Sequence, residues 1–77
     1  MNANELTKQL MTETGTTYQK LAGDTELGTA SNLHQILSRK DLKVSVFVKL
    51  LEAMDYQLIV QDINNFKEEY VIDNEEV

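Results

Sequence analysis

A chain of 77 residues with no cysteine, no proline and a net charge of −6 has room for one small domain with a modest core. This composition excludes a disulfide framework and thiolate metal sites, so stability must come from helix packing or association. No apolar run approaches the ~20 residues that span a bilayer, and the first residues lack a basic-then-apolar signal pattern. The expectation is a soluble, cytoplasmic domain with no membrane partner.

In chain order, Asn2 to Thr14 reads as a first helix, capped by Asn2 or Asn4, with Glu5 at the positive end of its dipole. Leu6, Leu10 and Met11 form its inward stripe, and Gly15 suits the left-handed residue that ends it. Thr16 or Thr17 then caps a short second helix, Tyr18 to about Ala22, with Leu21 and Ala22 inward. Gly23 to Gly28 reads as a turn from which Leu27 tucks into the core. The third helix is capped by Thr29 or Ser31 and runs to about Ser38. In it Leu33, Ile36 and Leu37 share one face, while Ser31, Gln35 and Ser38 point the other way.

Ser38 to Lys43 is a polar loop, and Ser45 suits the cap of a fourth helix, Val46 to Met54. Val46, Phe47, Leu50, Leu51 and Met54 make that helix the centre of the expected core. Beyond Asp55 the period changes. Tyr56 to Val60 is rich in strand formers, Asn64-Asn65 suits a turn, and Glu69 to Ile72 reads as a returning strand. A lone hairpin is marginal in water, so it should pack on the helices or pair with another subunit. Asp73 to Val77 is an acidic end. The organisation expected is mostly α, four or five short helices and a C-terminal strand or β-hairpin. A domain over 1–62 would be followed by a hairpin arm and acidic tail over 63–77.

Charge is unevenly placed along this plan. Residues 28–50 carry Arg39, Lys40, Lys43 and Lys49 against Asp41 alone, whereas 51–77 carry eight carboxylates against Lys67. The acidic total argues against nucleic acid and the basic middle argues for it; ordinary solvated surface is the plain alternative for both. Catalysis has little to work with. His34 is the lone histidine, and there is no glycine-rich phosphate loop and no carboxylate pair in apolar surroundings. No enzyme, cofactor, metal or small-molecule substrate is expected.

Five short stretches, in order, carry a resemblance. They are Thr17-Tyr18-Gln19-Lys20-Leu21-Ala22; Leu27-Gly28; Ser31-Asn32-Leu33-His34-Gln35-Ile36-Leu37; Lys40-Asp41-Leu42-Lys43-Val44-Ser45; and Leu50-Leu51-Glu52-Ala53-Met54-Asp55-Tyr56. Together they resemble the helix-turn-helix domains of the phage repressor and Cro (XRE-like) type, over roughly residues 5 to 60. Two positions depart from that pattern. The stretch from Leu21-Ala22 to Leu33 is one residue longer than the family's usual count, and Asp55 stands where the family commonly has a left-handed glycine.

The resemblance implies a lambda-repressor-like fold and a sequence-specific transcriptional regulator. Its recognition helix, about 29–38, would lie in the major groove of double-stranded DNA. Thr29, Ser31, Asn32 and Gln35 become the candidates for base edges. Tyr18, Gln19, Arg39, Lys40 and Lys43 become those for phosphate. Thr29 and Ser31 as mere caps, and Tyr18 as a half-buried core tyrosine, are the plain alternatives. With so few cations a functional reader should be a homodimer, and Tyr56, Leu58 and Val60 are the candidate interface. The rival use of the same scaffold is a protein-binding modulator, antirepressor or antitoxin-like, that binds another regulatory protein. The acidic tail favours that use.

Overall fold

Residues 1–64 and 67–73 are described by the computed structural model. Among them the elements run α1 Ala3–Thr14, α2 Tyr18–Thr25, α3 Ala30–Ser38, α4 Val44–Ala53, β1 Leu58–Gln61 and β2 Glu69–Ile72. The protein is mostly helical, with one small antiparallel sheet at its C-terminal end. Asn65 of the expected turn and positions 74–77 of the expected acidic end lie outside the described residues. No helix among the described residues is long and apolar enough to cross a membrane.

Local chemistry sets most of the helix ends. Asn2 caps α1 by accepting the Glu5 amide at 2.8 Å, and Gly15 ends it at φ 67°. The amides of Gly15 and Thr16 close on the carbonyls of Thr12 and Met11, as a left-handed terminator allows. Thr17, not Thr16, caps α2.

That second helix passes Ala22 and continues through Gly23 to Thr25, so the expected Gly23–Gly28 turn is too long. An i, i+4 ion pair between Lys20 and Asp24 spans the extra turn at 3.0 Å. The Thr25 hydroxyl donates to the Leu21 carbonyl at 2.7 Å. The terminator is Glu26, at φ 59°, rather than either glycine. A glutamate gains nothing in that conformation and is strained by its Cβ. Glu26→Gly should therefore raise stability by about 0.5–1 kcal/mol, the strain relieved exceeding the extra unfolded-state entropy. The readout is a higher urea midpoint at constant slope; a lower midpoint would show that the carboxylate holds the turn in some other way.

Thr29 caps α3, its hydroxyl oxygen accepting the Asn32 amide at 3.1 Å, which leaves Ser31 inside the first turn. The fourth helix departs from expectation at its start. It begins at Val44, with Lys43 at the cap and no side-chain hydrogen bond there, so Ser45 is not its cap. Phe47, Val48, Leu50 and Leu51 lie on its buried face. The helix ends on Asp55 at φ 65°, with the Asp55 and Tyr56 amides returning to the carbonyls of Glu52 and Leu51. Aspartate thus fills the glycine-like position.

The core lies where α2 packs on α3 and α4 while α1 closes over both. It is built from Leu10, Met11, Leu21, Ala22, Leu33, Leu37, Phe47, Leu50, Leu51 and Met54. Leu6 and Val46 are only partly buried, whereas Val48, outside the expected set, is fully buried. On α1 the inward stripe also includes Asn4 and Thr7. The hairpin pairs Leu58 with Ile72, Ile59 with Val71, Val60 with Tyr70 and Gln61 with Glu69. Its strands pair across position 62, so the arm begins at β1. Leu58 is the strand residue that packs against the helical core, and Tyr56 lies before the strand.

Candidate nucleic-acid interface

The third helix is held on one side and free on the other. Leu33 and Leu37 are fully buried and Ile36 half-buried, which fixes the helix rotationally. The outward ridge then consists of Ser31, His34, Gln35 and Ser38, all exposed, over about 10 Å of helix. Ser31 and Gln35 lie one turn apart, and neither side chain is engaged within the described residues. Both keep their donors and acceptors for an external partner.

Asn32 does not stand with them. Its side-chain amide donates to the Leu27 carbonyl at 2.6 Å and lies over Gly28, whose φ of 93° needs a glycine. One N–H of that amide thus braces the α2–α3 turn, and only its second N–H and Oδ1 are left for a base edge. Thr29 is committed as the cap through its lone pair, although its side chain remains exposed.

Tyr18 opens α2 half-buried against the core, its ring 5.3 Å from that of His34 with planes tilted by 52°. This contact sets the N-terminus of α2 against the middle of α3. Gln19 beside it is exposed. Arg39, Lys40 and Lys43 are exposed on the segment that leaves α3 and enters α4. Lys43 also sits at the N-terminus of α4, whose first amides have no side-chain cap. A hollow of about 200 Å³ lies between Arg39, Asp41 and Lys43 over Ile36, Leu42 and Val46, too small for a drug-sized ligand.

Lys49, counted with the basic middle of the chain, does not reach this side. It lines a groove with Asp24, Glu26 and Glu52 at the ends of α2 and α4. Three cations, not four, therefore stand near the ridge. Among the described residues no three histidine, cysteine, aspartate or glutamate side chains are placed to hold a metal ion.

Comparison with known protein families, curated proteins and solved structures finds no match for this chain. The face is read from its own chemistry, and one residue behind it escapes sequence reasoning. Asn4 on α1 is buried, and its amide donates to the carbonyls of Leu37 (3.3 Å) and Arg39. It fixes the end of α3 and the backbone from which Arg39 projects. A signal existed: Asn4, Thr7 and Met11 recur at i, i+3, i+7, the spacing of an inward face.

Proposed function

We propose that this protein is a cytoplasmic, dimeric, sequence-specific DNA-binding regulator of transcription that lays α3 in the major groove. The observation that carries this reading is the ridge of Ser31 and Gln35, unengaged, on a helix held by Leu33 and Leu37 and flanked by Arg39, Lys40 and Lys43. Gln35 can pair bidentately with adenine, and Ser31 can give or accept one bond at a neighbouring base. The three cations and the uncapped α4 amides supply phosphate contacts that set register without reading sequence. The N-terminus of α2, with Gln19 exposed, adds a further phosphate contact.

The test is selection from random duplex DNA at about 0.15 M salt, expected to enrich a palindromic site. On that site Gln35→Ala should lose about 1–3 kcal/mol of binding while keeping its non-specific affinity. Neutralising Arg39, Lys40 or Lys43 to glutamine should weaken binding to every sequence and reduce the salt slope by about one each. Binding unchanged by Gln35→Ala would remove the reading face. The acidic C-terminal segment, with eight carboxylates against Lys67 over residues 51–77, favours a second reading, a modulator that binds another regulatory protein through a basic surface. No enrichment from the DNA pool, with a regulator recovered in complex, would support it.

A further inference from the structure

The hairpin leaves an open strand edge and apolar side chains on both faces. In the observed register Leu58, Val60, Tyr70 and Ile72 share one face, and Ile59 and Val71 share the other with Gln61 and Glu69. Six of the eight large apolar side chains exposed among the described residues lie between Tyr56 and Val71. The apolar surplus is therefore concentrated in the arm. The arm also stretches the molecule: its radius of gyration is 13.0 Å and its longest dimension 40 Å. A compact chain of this length would have a radius near 11.5 Å, at roughly 2.2 N^0.38. A two-stranded sheet so placed is marginal without a third strand.

The two edges differ in charge, and that difference selects the occupant. From Tyr56 to Gln61 the chain holds no charged residue, and β1 itself is Leu58-Ile59-Val60-Gln61. The second strand, Glu69–Ile72, opens on Glu69 and is flanked by Lys67-Glu68 before it and Asp73 after it. Carboxylates along an edge repel an added strand, whereas an uncharged β-branched edge accepts one. A second copy of this chain offers the same uncharged edge, and a two-fold axis makes that edge self-complementary.

We propose that two copies associate by antiparallel pairing of β1 with β1, giving a four-stranded sheet in the order β2-β1-β1-β2. The axis stands perpendicular to the sheet, so facing residues point to the same side and the pairing centres on one residue, Ile59 or Val60. The acidic β2 strands occupy the outer edges, as far apart as the sheet permits. Antiparallel pairing through β2, centred on Val71, would instead set each Glu69 opposite Asp73 of the other copy. This association is independent of what α3 binds.

The experiment is sedimentation velocity on the full chain without DNA, at micromolar concentration, beside Ile59→Lys and Val60→Lys. The native chain should be a dimer. Either lysine variant should dissociate at least about a hundredfold more readily, since each dimer carries the charge twice near the axis. Their helical circular dichroism should be unchanged. Because the chain has no cysteine, Ile59→Cys or Val60→Cys should oxidise to a covalent dimer. Lys8→Cys, exposed on α1, should not. If a lysine variant unfolds, the cysteine pair decides. A monomeric native chain, a dimer indifferent to both lysines, or equal cross-linking through Lys8→Cys would each overturn the pairing. A dimer that selects no DNA would instead remove the DNA reading and leave the pairing intact.

Discussion

Leu50→Ala should lower the unfolding free energy by about 2–5 kcal/mol and the thermal midpoint by roughly 10 °C or more. Leu50 is fully buried on α4, the helix on which both α1 and α2 pack. Truncation removes the transfer free energy of the lost carbons and leaves a cavity that surrounding helices fill only in part. In a domain of this size such a loss is a large fraction of the total stability. Val44→Ala on the same helix is the control, because Val44 is 53% exposed and its loss should change stability by no more than about 0.5 kcal/mol. Calorimetry on both variants checks the pair. An unmoved midpoint for Leu50→Ala would mean that α4 turns another face inward.

Asn4→Ala should cost about 1–3 kcal/mol, although it removes no apolar contact from the core. The carbonyls of Leu37 and Arg39 lie where a helix end lacks amide partners, and Asn4 supplies donors to both. Its own oxygen has no partner, so the side chain is held for what it donates. Asn4→Asp should cost more than Asn4→Ala, because a buried carboxylate would face two carbonyl oxygens. The introduced carboxyl would hold its proton more tightly in the folded state than in the unfolded chain. The stability of that variant should then be greatest at low pH and fall as pH rises through the carboxylate range. Urea titrations across pH test the sign, and hydrogen exchange at Ser38 and Arg39 should quicken in both variants. Stability of Asn4→Asp that rises with pH would contradict the assigned donor role.

The elements that are legible in the sequence are those whose signals are local. Asn2 and Gly15 bracket α1, Thr29 and the Leu33-Ile36-Leu37 stripe define α3, and Glu69 to Ile72 is the second strand residue for residue. The left-handed backbone at Asp55 was legible through the resemblance alone. The end of α2 was not, because two glycines offered better terminators than Glu26, and the Lys20–Asp24 and Thr25 contacts overruled them. Ser45 misled as well: α4 begins one residue before it, with Lys43 at the cap position and no side-chain cap.

At the candidate site the sequence distinguishes an outward ridge from an inward stripe but not an unengaged side chain from a braced one. Ser31, Asn32 and Gln35 are all polar residues on a short helix, and periodicity treats Asn32 much as it treats its neighbours. Its commitment depends on the Leu27 carbonyl, and that meeting requires Gly28 to turn. Lys49 likewise counts as basic middle until the helices pack and place it beside Asp24, Glu26 and Glu52.

By itself, the sequence determined a mostly helical domain without disulfides, the inward stripe of α3, the apolar face of α4 and a strand-forming C-terminal arm. Those properties follow from residue type and spacing within a few turns of chain. Only the tertiary structure decided where α2 ends, which polar side chains on α3 remain available, and that Asn4 secures the backbone of Arg39. Each of these turns on groups far apart in sequence or on contacts that outweigh a local preference. Periodicity carries no information about either.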